Sequence, residues 1–382
     1  MRHLLRLLGP LFGLFEVATP YARTWHVTPD GTGDAPKIQA AIDSSSAGDS
    51  VLVAAGFYDE NLDTQGKALS LIGAGGRDAT VVDAGRRARV LSFNSGLVTG
   101  FTFRNGLAQV GGGGILIKGP NSTVLRNNVI EENIAGTEPD TGGGGGVYID
   151  HLASGVLIES NIIRNNISTA IGGGIRDAGP SPQFILNEIR NNVISGNRCR
   201  YFGGGIALFA AVVSGNLVID NQSEGAGAGI AADFADLPVG EIVNNTIVRN
   251  RAGSQGAGIL VVGGSPLISN NIVAWNEPGG GILYTGSREP ICNDLWANDV
   301  DAIGWSGVGN GNFSADPLFC NTAEQNYSVY RNSPCLATAN PTCGLVGAFD
   351  EGCTVPVNSV TWTHVKKLFA GDRDARFRAR EP

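Results

Sequence analysis

One stretch of this chain gathers side chains able to do chemistry together: Lys118, Tyr148, Asp150, His151, Arg176 and Asp177. A carboxylate, a basic residue and an aromatic in one groove can bind a uronic sugar. Abstraction of the proton beside the sugar carboxylate needs a base and a positive charge to stabilise the resulting anion. Under that chemistry Asp150, His151, Lys118, Tyr148 and Arg176 are the catalytic candidates. Glu138, Asp140, Asp177, Phe209 and Asp233 are the substrate-binding candidates. Asp150, Asp177, Glu138 and Asp140 also offer the hard oxygen ligands that Ca2+ takes, although no Asp-x-Asp-x-Asp loop arranges them. A plainer reading stands beside this one. Asp150 and His151 end a strand and begin a turn, and Arg176-Asp177 is a local ion pair on a solvated face.

The elements that must position these residues repeat. Between Gly100 and Asn298 a phrase of Asn, spacer, apolar residue, two spacers and Asn recurs, as in Asn128-Ile130-Asn133, Asn161-Ile163-Asn166 and Asn192-Ile194-Asn197. Weaker copies flank the series, Gly100-Thr102-Asn105 before it and Asn293-Leu295-Asn298 after it. Gly clusters alternate with the phrases, each running into an apolar residue: Ile115, Val147, Ile175, Ile206, Ile230, Ile259 and Ile282. A repeat of this length, with apolar alternation and no helical periodicity, predicts a β-solenoid whose units stack on one another. Asn tolerates a tight left-handed bend, and stacked copies can hydrogen-bond through their amides. Segments between the closing Asn and the next Gly cluster vary most in length, so that corner faces solvent. Alternation from Ile115, Val147 and Ile175 places Leu116, Lys118, Tyr148, Asp150, Arg176, Ala207, Phe209, Ala231, Asp233, Leu260 and Val262 on one outer face. Its polar members concentrate on the first three coils, and beyond them the face becomes apolar and small.

Gly-Gly-Gly-Ile strands, Asn-Asn corners and variable third corners resemble the right-handed parallel β-helix of the pectin lyase-like superfamily. Ile38 to Asp43, Gly48 to Val53 and Gly56 to Glu60 resemble its capping helix and first strands. The resemblance implies an all-β fold over residues 23–353: a single right-handed solenoid of about ten coils with a short N-terminal capping helix and a disulfide-rich C-terminal end. It also implies a polysaccharide or cell-surface glycan as partner, bound along an exposed sheet, and lyase, hydrolase or epimerase chemistry. Val147-Tyr148-Ile149-Asp150-His151 resembles the aromatic-Ile-Asp-His stretch of pectate lyases. Their Arg-x-Pro-x-x-Arg motif has a counterpart at Arg288 to Asn293, with Asn293 in place of the second Arg. Tyr148, Asp150, His151 and Lys118 match the residue types of mannuronate lyases and epimerases, at a different spacing. A non-catalytic surface, adhesion or structural solenoid remains the alternative, since fold does not imply activity.

Composition sets the remaining bounds. A net charge of −8 without a basic stripe argues against a nucleic-acid partner. Residues 1–22 read as a secretory signal peptide, and no later segment is apolar enough to span a membrane. The protein is therefore expected to be exported, extracellular or surface-attached, and monomeric. Cys320, Cys335, Cys343 and Cys353 crowd one end, with Cys292 and Cys199 upstream. Absence of any Cys-x-x-Cys pair points to disulfides closing the last coil rather than to zinc, with the pairing left open among 15 possibilities. Residues 354–382 read as a charged tail.

Overall fold

Each coil is three short strands joined by bends, and the coil that starts at Thr123 shows why. Thr123–Arg126 contributes to a first sheet, Val129–Glu131 to a second and Val147–Ile149 to a third. The two-residue strand Ile134–Ala135 adds to a narrow corner sheet between the second and third. Every strand pairs in parallel with its equivalent on the next coil. The first, second and third sheets have ten strands each and the corner sheet has six. The computed structural model describes residues 22–120, 122–138, 140–179, 185–235, 240–307 and 309–353. The expected signal peptide (but for its last residue) and the C-terminal tail lie outside them.

Alternation sends one column of side chains per sheet inward. Leu125, Ile158 and Ile189 from the first sheet meet Ile130, Ile163 and Ile194 from the second, and Ile115, Val147 and Ile175 from the third. Each such side chain contributes roughly 1.5–3 kcal/mol by leaving water. Stacking also demands close backbone approach. A Cβ on Gly174 would lie 2.6 Å from the carbonyl oxygen of Gly205 on the next coil, so the residue just before the strand that starts at Ile175 must be glycine.

Asparagine builds two ladders rather than one. Nδ2 of Asn161 donates to Oδ1 of Asn192 at 3.1 Å and to the Leu125 carbonyl at 2.8 Å, while its own Oδ1 accepts from the backbone N–H of Asn128 at 3.0 Å. The second ladder runs from Asn133 through Asn166 and Asn197 in the same manner. These amides are fully buried yet satisfied, which is the condition for a polar group in a core. The left-handed bend falls on the residue before each rung, such as Asn127 (φ 53°) and Asn165 (φ 55°). The first, weaker copy is therefore shifted by one. Asn105 takes the bend (φ 55°), and Gly106 occupies the rung, its N–H donating to Asn133 Oδ1.

The first coil is capped by a helix. The helix Ile38–Ser44 buries Ile38, Ala41 and Ile42, and Glu60 caps it by accepting from the N–H groups of Ile38 and Gln39 at 3.0 Å. At the other end the chain turns back along the outside of the second sheet as a three-stranded patch, Phe319–Asn321, Asn326–Tyr330 and Glu351–Cys353. Disulfides join Cys292 to Cys343 and Cys320 to Cys353. Cys199 and Cys335 depart from the expectation and are unpaired. Cys199 faces into the corner sheet between Ser168 and Ser223, away from the other cysteines. The Cys335 thiol donates instead to Asp294 Oδ2 at 3.2 Å. Among the described residues no helix is long and apolar enough to cross a membrane.

Candidate functional site

The third sheet carries the site on its outer face. Leu116, Tyr148 and Arg176 stand in register on successive coils, followed by Ala207, Ala231 and Leu260. The ladder continues past the strand ends through the N–H groups of Lys118, Asp150 and Ala178. Lys118 and Asp150 therefore occupy neighbouring rungs of a second column, as the alternation requires. Tyr148 and Arg176 interact, with the guanidinium 5.7 Å from the ring centroid. Glycine makes room for both. A Cβ on Gly111 would lie 2.7 Å from Cγ of Tyr148, and one on Gly143 would lie 2.8 Å from Arg176 Cδ.

Beyond Arg176 the face hollows into a groove of about 400 Å³. Its floor is Ala207, Ala231 and Leu260. Ile171 and Phe202 line it from the corner side, and Phe209, Asp233 and Val262 from the other. Phe202 and Val262 are 44% and 46% exposed, unusual for large apolar groups without a partner. Phe209 and Asp233 thus stand where the sequence places them, at the groove. Ile171 and Phe202 were missed as lining residues. Each immediately precedes a Gly cluster, and they are bridged to each other in parallel, so the residue before the cluster was the available signal.

The other candidates are dispersed. Asp150 Oδ1 accepts from the Leu152 N–H at 3.1 Å and lies 3.1 Å from Nδ1 of His151, which is 65% exposed. That is the geometry of a strand ending in a turn. Asp177 borders the groove but turns its carboxyl inward. It lies in register with the inward Ile149 and is buried. Burial pushes its carboxyl up to about 7, against the opposing hydrogen bonds of the Gly179 N–H and the Asn187 side chain. Asp140 is held by Arg200 at 2.9 Å and by the Tyr201 hydroxyl, on the corner sheet. Glu138 lies beside the same corner, near Arg198 and Arg200. Among the described residues no three acidic, His or Cys side chains converge as metal ligands, so the four carboxylates considered for Ca2+ form no common site.

The family model for the right-handed β-helix region matches residues 76–234 and 179–295, more than half of the chain. This protein belongs to that family. No curated protein and no solved structure matches it.

Proposed function

We propose that this protein is exported and binds a polysaccharide lengthwise in the third-sheet groove, without turning it over. The groove between Arg176 and Leu260 carries this reading. From Arg176 to Leu260 it crosses four rungs, roughly 14 Å at the spacing of paired strands, over a small, apolar floor. Such a floor suits the apolar faces of sugar rings, and Phe202 and Phe209 add flat surfaces for them. Arg176 at one end supplies charge-assisted hydrogen bonds to hydroxyl or carboxylate groups. The paired disulfides support an oxidising destination. Lyase, hydrolase or epimerase chemistry is less well supported, because Asp150 and His151 are engaged with each other and with a turn rather than with the groove.

A glycan array followed by titration of the hits tests the binding. Ala231→Arg, which fills the floor, is expected to weaken any hit by about tenfold or more. Equal affinity in the variant removes the assignment. Incubation with pectate and alginate, with and without calcium, tests turnover through the absorbance of unsaturated product. Product formed by the parent and lost in Asp150→Ala restores the catalytic reading.

A further inference from the structure

The outer side of the corner sheet holds a second cleft with unusual charge. Arg198, Gln222 and Arg251 stand in register on three successive coils, which puts the two arginine backbones ~9.5 Å apart. Two adjoining hollows of about 370 and about 350 Å³ share Arg198 and Glu224. Glu138 lines the first, and Arg251 lines the second. Elsewhere opposite charges on neighbouring coils pair, as Arg164 does with Glu131, Arg190 with Glu159 and Arg249 with Asp220. In this cleft they do not. Among the described residues Arg198, Arg251, Glu138 and Glu224 form no ion pair within 4.0 Å.

Arg198, Arg251, Glu138 and Glu224 line one cleft without neutralising each other directly, while Arg200, which also lines it, is already paired with Asp140. An anionic ligand attracted by the arginines would meet Glu138 and Glu224. A sugar hydroxyl both donates and accepts, so neighbouring hydroxyls can accept from a guanidinium while donating to a carboxylate. We propose that this cleft is a second binding lane, for a neutral polysaccharide running along the solenoid axis. The ridge Arg200-Tyr201-Phe202 separates it from the third-sheet groove. The lane goes beyond the function proposed above and stands or falls without it.

The test uses the full chain carrying Ala231→Arg, so that the third-sheet groove is filled. Phe209→Ala with Arg176→Ala serves instead if that variant does not fold. Neutral β-glucan, xylan and mannan fragments are the probes, with polygalacturonate and a sulfated polysaccharide as anionic arms. Neutral fragments are expected to bind, and Arg198→Gln with Arg251→Gln to weaken them by about tenfold or more without changing the melting temperature. Affinity is expected to be nearly equal at about 0.05 and about 0.5 M salt, because no net counter-charge is being neutralised. Glu224→Gln is expected to weaken the neutral fragments and to strengthen the anionic arms. Failure of every neutral fragment to bind, indifference to the arginine replacements, or binding of the anionic arms alone with steep salt dependence overturns the proposal.

Discussion

Two faces of this solenoid are apolar on the outside, and among the described residues only one is overlaid by another segment of the chain. On the second sheet the outward Leu217, Ile219, Val248, Ile272 and Ala274 are buried because the C-terminal segment lies on them with Tyr327, Cys335 and Val346. Asn244 and Asn270, both in left-handed bends, fix that segment by donating to the Leu345 and Cys343 carbonyls at 2.8 and 2.7 Å. On the third sheet Ala207, Ala231 and Leu260 form an equally apolar outward column, yet no part of the described chain crosses it and Phe202 and Val262 stay exposed. The same strand arithmetic makes both faces. What differs is whether the described chain supplies a cover.

Removing the built-in cover should have the largest effect. Tyr327 is buried, meets the Phe319 ring edge-on at 5.0 Å and lies beneath Arg249. Tyr327→Ala is expected to cost about 3–5 kcal/mol in chemical denaturation and to increase binding of a hydrophobic dye as Val248 and Ile272 reach water. The Tyr327 hydroxyl is buried without a hydrogen-bond partner, so Tyr327→Phe should leave stability unchanged or raise it. Equal losses in the two variants would mean that the hydroxyl, not the ring, holds the cover.

The two faces also differ in how they treat a buried acid. Burial pushes both Asp294 and Asp177 up to about 7. Under the cover, Asp294 accepts from the Ala315 N–H at 3.0 Å and from the Cys335 thiol. Behind the open face, Asp177 Oδ2 is buried without a partner. A carboxyl whose folded pKa is raised gives stability that is full below the unfolded value of 3.8 and is lost as pH rises through about 7. Asp177→Asn keeps the acceptor for Gly179 and Asn187 and cannot ionise. It is expected to be more stable than the parent by on the order of 3 kcal/mol at pH 8, with the gain vanishing near pH 4. Parallel stability curves across that range would show that Asp177 does not titrate with unfolding.

Much of this was legible because it is local. Period-2 alternation found the inward columns, and the Asn phrase found the corners, since both are written within a few residues. Asp177 shows both signals at once: counting from Ile175 turns its side chain inward, while its place beside Arg176 sets the residue at the groove's edge. The cover over the second sheet needed contacts between distant parts of the chain, yet it left a trace. Earlier second-sheet strands end on a polar outward residue, as in Ile162-Ile163-Arg164 and Val193-Ile194-Ser195. Later ones are apolar or nearly so throughout, as in Leu217-Val218-Ile219, Thr246-Ile247-Val248 and Ile272-Val273-Ala274. Strands buried on both faces read as continuous apolar runs. Cysteine partners left no such trace, because pairing depends on which cysteines the fold-back carries to the last coils.

The smallest test bears on the open face alone. Gly143 has no positive φ, so its lack of a side chain is explained by what lies over it: Arg176 Cδ would be 2.8 Å from an added Cβ, and Nη1 2.9 Å. Arg176 is partly exposed at the groove's end and ends in a flexible chain, so it can swing aside where a core group could not. Gly143→Ala is therefore expected to leave the melting temperature nearly unchanged while displacing the guanidinium from Tyr148 and from the groove. If Arg176 holds the end of a bound glycan, affinity should fall by about two- to fivefold, less than in Arg176→Ala, whose loss is that of a whole charge-assisted hydrogen bond. Adding Gly143→Ala to Arg176→Ala should then change nothing further, because both act through one side chain. An additive loss would mean that the ligand touches the backbone at Gly143 itself, moving the end of the groove one coil toward Tyr148.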